Sequence, residues 1–264
     1  MKLEDLKPKT PEQEMAKKNC ILFCRTGSYL YGTNTPESDE DYTGIFIPDE
    51  DYILGWNKNI EQVEFGTNPS GSGRINSVGD IDCTLYSLTK WIKLAARNNP
   101  NILELFFTPD NCVIFKNEYG RRLMGSYLLF ISQKAYHSFT GCSRDQLYKL
   151  KTKKKNESGR VHLVEKYGFD TKFALHSLRF MIETIQLMKG GRIEFPLAEN
   201  RLLLDIKRGQ YTEEEFFKKS DTLAEVCDLA FAKTDIPYAP NHAEISKLQK
   251  SMLLDFWGYN KAIS

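Results

Sequence analysis

The chain has 264 residues, of which 41% are hydrophobic and 27% charged, with a net charge of +1. That length buries a sizeable core in one large domain or two smaller ones, and the composition is ordinary for a soluble globular protein. The near-neutral balance argues neither for nor against a nucleic-acid partner, and no stretch approaches the ~20 apolar residues that would span a membrane.

In chain order, the amino end to Lys18 is charged and lacks an apolar run, so it reads as neither a signal nor a transit peptide. The expected location is cytoplasmic. Residues 11–18 fit a short amphipathic helix. Cys20 to Arg25 reads as a first strand and Asp39 to Ile47 as a second, with a helical turn begun by Gly27-Ser28 between them. Ile60 to Phe65 alternates as a third strand. Gly66 to Gly79 is rich in Gly, Ser and Asn and reads as a loop, open to interpretation as a lid or a plain hairpin connection. Val78 to Tyr86 resumes strand character, and Ser87 caps a helix carrying Leu88, Trp91, Ile92 and Ala95. Asn101 and Glu104 have the spacing of a capping box. Val113 to Phe115 is a last short strand.

Beyond about residue 120 the pattern turns helical. One or two helices cover Tyr127 to Lys155, and Asn156 to Gly168 reads as a polar loop. Asp170 caps a long helix stopped by Gly190-Gly191. A short helix from about Leu197 to Lys207, a helix from Glu213 to Lys233 capped by Thr212 and a final helix from Ala243 to Phe256 follow. The expected class is α+β, a mixed sheet with flanking helices followed by an all-helical domain, divided as 1–125 and 126–264. The six cysteines are scattered and none forms a CxxC pair, so reduced thiols are expected and zinc is not.

The chemistry concentrates in Gly27 to Asp41. Asp39 and Asp41 are two apart on a strand and share a face. Their mutual repulsion favours a bound cation or a shared proton, and a hard divalent cation, Mg²⁺ first and Mn²⁺ next, suits oxygen ligands. A two-metal phosphoryl site needs a third carboxylate. Asp82 on the later strand is the best candidate and Asp80, on the same face, the runner-up. Gly27 lets backbone approach a phosphate, and the helical turn begun by Gly27-Ser28 favours an anion. Taken singly, each feature has a plain structural alternative: a turn, a solvated strand edge, a Gly-Ser bend.

Together they resemble the DNA polymerase β-like nucleotidyltransferase superfamily, whose signature is Gly-Ser or Gly-Gly, a gap of about a dozen residues, and Asp-x-Asp. More narrowly, the chain is similar to predicted nucleotidyltransferases of bacteria and their phages. That likeness is carried by Ser38-Asp39-Glu40-Asp41 with Gly44-Ile45-Phe46, by Asp82 to Leu88 with Lys90-Trp91, by Asn99 to Phe106, by Tyr167 to Lys172 with His176 and Arg179, and by Ile206 to Gly209. The resemblance implies Mg²⁺-dependent transfer of a nucleoside monophosphate from ATP or another triphosphate to an acceptor hydroxyl, with release of pyrophosphate. Asp39, Asp41 and Asp82 would hold metal, and Gly27 and Ser28 would contact phosphate. Glu40 departs from the apolar residue usual between the two aspartates and is expected on the opposite face.

The helix from Thr171 is apolar nearly all round except for Lys172, His176, Arg179 and Glu183. That stripe faces either solvent or the nucleotide cleft that the helical domain is expected to close. In the second case Lys172, His176 and Arg179 bind nucleotide. The lysines from Lys149 to Lys155 would contact a nucleic-acid backbone or form a solvated helix end. The acceptor stays open between RNA, DNA, a small molecule and, in an AMPylation-like alternative, a protein. A non-catalytic binding or regulatory protein on the same fold is the competing class.

Overall fold

Residues 1–36, 38–66, 81–152 and 160–259 are described in the structure, a computed structural model. Asp80, most of the Gly66 to Gly79 segment and Lys153 to Lys155 lie outside the described residues.

A 3₁₀ turn, Leu3–Asp5, and helix Pro11–Lys18 (α1), capped by Thr10, lead into Cys20–Arg25 (β1). Gly27–Tyr31 (α2), Glu40–Phe46 (β2), Asp51–Leu54 (α3), Gln62–Gly66 (β3), Ile81–Ser87 (β4), Leu88–Ala95 (α4), Pro100–Leu103 (α5), Val113–Lys116 (β5) and Glu118–Gly125 (α6) follow. Helices Lys134–Thr152 (α7), Val161–Tyr167 (α8), Thr171–Gly190 (α9), Asn200–Lys207 (α10), Glu213–Ala232 (α11) and His242–Phe256 (α12) complete the chain. The expected class holds: a mixed sheet with flanking helices, then a helical region.

Among the described residues the strands form one sheet in the order β3-β4-β2-β1-β5. Only β2 and β4 run parallel; the other neighbours are antiparallel. The chain between β2 and β4 carries α3 and the edge strand β3. One sheet face buries Phe23, Tyr42, Phe46, Cys83 and Leu85 against Met15 and Ala16 of α1 and Leu6. The aromatic group Trp91, Phe106 and Phe130 packs within the same unit, with ring centroids 4.9 to 6.0 Å apart. All six cysteines are free thiols, and five are buried.

The chain divides into two compact units. The first joins Met1–Ala96, Ile102–Phe130 and Pro240–Ser264; the second joins Arg97–Asn101 and Ile131–Ala239. A single cut between 125 and 126 therefore differs from this division. Helix α12 returns to the first unit, where Asp255 accepts from Arg122 at 2.7 Å and Trp257 Nε1 donates to the Pro48 carbonyl at 3.0 Å. In the second unit α9 is the central element, contacting α7, α8, α10 and α11. Asp170 caps it by accepting from the amides of Lys172 and Phe173, and Gly191 ends it in the left-handed conformation. The polar segment 156–168 is not all loop: Val161–Tyr167 is helical and ends at Gly168 with φ +87°.

Candidate active site

Parallel pairing of β2 with β4 sets Asp41 directly opposite Asp82. Residues in register on adjacent strands project to the same side, across a spacing of about 4.8 Å. Asp39 precedes β2 by one residue and is partly exposed, as is Asp41, while Asp82 is exposed. On the other flank of β4, the residue opposite Asp82 is Gly66, which brings no side chain. Two carboxylates thus meet at the start of two strands that are separated by about forty residues of sequence.

The α2 turn belongs to the same place. The Thr26 amide donates to the Asp41 carbonyl at 2.8 Å, and the Thr26 and Thr43 hydroxyls lie 3.2 Å apart. Gly27 has φ +62°, and a Cβ added there would lie 2.7 Å from Cγ of Asp41 and 2.9 Å from its Cβ. The glycine is needed on both counts: backbone conformation and room for the carboxylate. Ser28 follows in the first turn, and its carbonyl accepts from the Thr33 amide at 2.8 Å.

Behind the turn, Tyr31 donates its hydroxyl to Glu104 at 2.8 Å, with both side chains buried. Helix α5 begins at Pro100, so Asn101 lies inside it and not at its cap position. Glu104 ties α2, five residues long, to the following 3₁₀ segment Glu104–Phe107. Sequence reading missed this contact. The available signal was a lone Glu beside Leu105-Phe106-Phe107, where a charge needs a buried partner.

Glu40 does project to the opposite face. Arg25 bridges it at 2.6 Å and the Tyr42 hydroxyl donates to it. The bond from Tyr42 and then the Arg25 charge hold Glu40 below the usual carboxylate range, against an opposing effect of burial. The Arg25 guanidinium stacks over Tyr29, 3.3 Å from the ring centroid.

Among the described residues, no group of three or more His, Cys, Asp and Glu side chains is disposed to hold a metal. The paired Asp41 and Asp82 fit a different mode. Mg²⁺ commonly uses one or two carboxylates and completes its shell with waters and substrate phosphates.

In the second unit, the expected polar stripe of α9 is split. Lys172 is exposed and His176 partly so, whereas Arg179 and Glu183 are buried at 3% and 0% exposure. They pair with each other at 3.1 Å, and Arg179 also donates to Asn101 at 3.4 Å and stacks on Phe180. Burial first, and then the charges of Arg179, Lys172, Arg160 and Lys207, push the His176 pKa well below its ordinary value. At neutral pH the imidazole is uncharged.

The family model described as RlaP, RNA repair pathway DNA polymerase beta family, matches residues 3–226. An 89-residue segment is 39% identical to an uncharacterized 38.9 kDa protein from the nrdC-mobD intergenic region of Enterobacteria phage T4. The segment is 33% of this chain and 25% of that protein, so the likeness spans about a quarter of the relative's length. Among solved structures, a nucleotidyltransferase-like protein from Exiguobacterium sibiricum 255-15 aligns over 94% of this chain and 74% of its own, with 13% identity and a TM-score of 0.31. Among the described residues no helix is long and apolar enough to cross a membrane.

Proposed function

The chain belongs to the RNA repair pathway DNA polymerase beta family, and on that footing we propose that it is a nucleotidyltransferase that joins a nucleoside monophosphate from a triphosphate to a hydroxyl of RNA. The observation that carries this reading is the register of Asp41 with Asp82, with Gly27 against the Asp41 carboxylate. RNA is chosen as acceptor because the family's description names an RNA repair pathway.

The acceptor oxygen attacks the α-phosphorus, the bond from that phosphorus to the bridging oxygen breaks, and pyrophosphate leaves. Asp82, the most exposed of the three carboxylates, takes the hydroxyl proton. Asp41 and Asp82 would hold Mg²⁺, with Asp39, one residue before β2, as the further candidate ligand. The cation supplies charge neutralisation at the reacting phosphate. The amides at the start of α2 and the Ser28 hydroxyl hold phosphate oxygens. In the second unit, Lys172, His176 and Arg179 are assigned to phosphate binding, with Arg179 acting from its ion pair with Glu183.

The test is incubation with each of four α-labelled triphosphates and RNA ending in a 3′-hydroxyl, a 3′-phosphate or neither free hydroxyl. Label joined to the 3′-hydroxyl RNA, and lost in Asp82→Asn, supports the reading. Label on protein alone, or on none of the acceptors with any triphosphate, rejects it.

A further inference from the structure

The sheet face that carries Asp41 and Asp82 continues past them in ordered rows. On β4, exposed Asp82 and partly exposed Thr84 and Tyr86 alternate with buried Cys83, Leu85 and Ser87. On β3, exposed Gln62 and partly exposed Glu64 alternate with Val63 and Phe65, which are buried in the core on the other face. The antiparallel register sets Gly66 beside Asp82, Glu64 beside Thr84 and Gln62 beside Tyr86. On the β2 flank the same three rows hold Asp41, Thr43 and the buried Ile45. Successive rows are about 7 Å apart, so Tyr86 lies about 13 Å from Asp82 along the strand.

The two flanks of Asp82 differ. Toward β2 stands Asp41, and against it the start of α2, the place assigned to the triphosphate. Toward β3 stands Gly66, without a side chain, followed by Glu64 and Gln62. The room for an acceptor nucleotide is therefore on the β3 flank. A nucleotide whose hydroxyl meets Asp82 there extends its base along the second and third rows.

The groups in those rows are mostly uncommitted. Gln62 donates from Nε2 to one Glu64 oxygen at 3.0 Å. Among the described residues no lysine or arginine pairs with Glu64. Lys90, whose charge reaches Tyr86, is taken by Glu61 at 2.5 Å. Burial first, and then the Glu64 charge, push the Tyr86 pKa up, so its hydroxyl keeps its proton. A carboxylate only accepts. Among the common bases, guanine offers two adjacent donors on its pairing edge, N1–H and N2–H, which match the two oxygens of a carboxylate. Its neighbouring O6 accepts, and Gln62 has a second N–H to give. Adenine and cytosine set one amino group beside a ring acceptor, which a carboxylate repels. Uracil sets its single N–H between two carbonyls.

We propose that Glu64 and Gln62 read a guanine at the 3′ end of the acceptor RNA, with the Tyr86 ring alongside the base and Thr84 next to the ribose. This deepens the reaction proposed above and rests on it for placing the acceptor hydroxyl at Asp82. It makes β3, the edge strand, the element that selects the acceptor.

The experiment measures binding of RNA trinucleotides, alike except for guanosine, adenosine, cytidine or uridine at the 3′ end, to the full chain with Mg²⁺ and no triphosphate. The guanosine-ended RNA should bind about ten-fold more tightly, the discrimination of one bidentate contact. Glu64→Gln should bring it down to the level of the others, and Tyr86→Leu should weaken every trinucleotide about ten-fold by loss of stacking. In transfer assays the Glu64→Gln loss should fall on KM rather than on kcat. Equal binding of all the trinucleotides by the wild type, or an undiminished preference in Glu64→Gln, overturns the subsite. So does a guanine preference that follows the base of the triphosphate instead of the acceptor. Transfer to RNA ends regardless of their last base rejects this subsite and leaves the reaction standing. Glu64-dependent guanosine binding without transfer from any triphosphate rejects the reaction and leaves the subsite.

Discussion

Replacing Gly27 by alanine separates backbone strain from damage to the carboxylates, provided it is compared with Gly191→Ala. The two glycines have nearly the same conformation, φ +62° and +66°. An L-residue in that region costs roughly 1–2 kcal/mol, which lowers the unfolding midpoint by about 2–8 °C at this chain size. At Gly191 a new Cβ meets nothing closer than Ile236 at 3.9 Å, so the cost ends there. At Gly27 the same atom falls 2.7 Å from Cγ of Asp41, inside ordinary contact distance, so the carboxylate must shift. A displacement on the order of 1 Å at a reacting centre costs about 10²-fold in rate. Circular-dichroism melts and initial rates of labelled-nucleotide transfer read the two effects. Both variants should lose a similar few degrees, and only Gly27→Ala should lose about a hundred-fold in rate. Equal rates in the two variants would refute the placement of Gly27 against a working carboxylate.

Three further outcomes are expected. Arg179→Met strands Glu183 in the interior and should cost about 3–5 kcal/mol, whereas Arg179→Met combined with Glu183→Leu should recover most of it; urea titrations measure both. Tyr31→Phe removes the buried bond to Glu104 and should cost about 1–3 kcal/mol, with a drop in transfer rate larger than any change in KM if the bond holds α2 in place. Because burial and four cations depress the His176 pKa, the unfolded chain takes up a proton near pH 6.5 that the folded histidine refuses. Stability should therefore fall as pH drops below about 6.5, and His176→Asn should remove that part of the slope in urea titrations at pH 7.5 and 5.5.

Local chemistry made much of this fold readable. The Asp170 and Thr212 caps, the left-handed stop at Gly191 and the dense apolar content of α9 each depend on residues close in sequence, and each element formed where expected. The register that sets Asp41 beside Asp82 is different in kind. It joins strands about forty residues apart, and alternation within each strand does not say which residue faces which. The return of α12 to the first unit is long-range in the same way and depends on bonds such as Arg122 to Asp255.

Three residues misled for a physical reason. Glu104 has the spacing of a capping partner for Asn101, yet it is buried and accepts from the Tyr31 hydroxyl. Arg179 and Glu183 read as part of a polar stripe facing solvent or a cleft, although opposite charges four apart on a helix apolar all round can also pair and bury together. The exposed Lys172 was the better guide to the accessible edge of α9.

The central claim is that Asp41 and Asp82 act together in metal-dependent transfer of a nucleotide to RNA. Its most direct test is the single-turnover rate of labelled-nucleotide addition to 3′-hydroxyl RNA with Mg²⁺, for the wild type, Asp41→Asn, Asp82→Asn and the double variant. Residues acting as one unit are non-additive, so each single variant should lose about as much as the double. Wild-type rates in either single variant, or losses that simply multiply in the double, would contradict it.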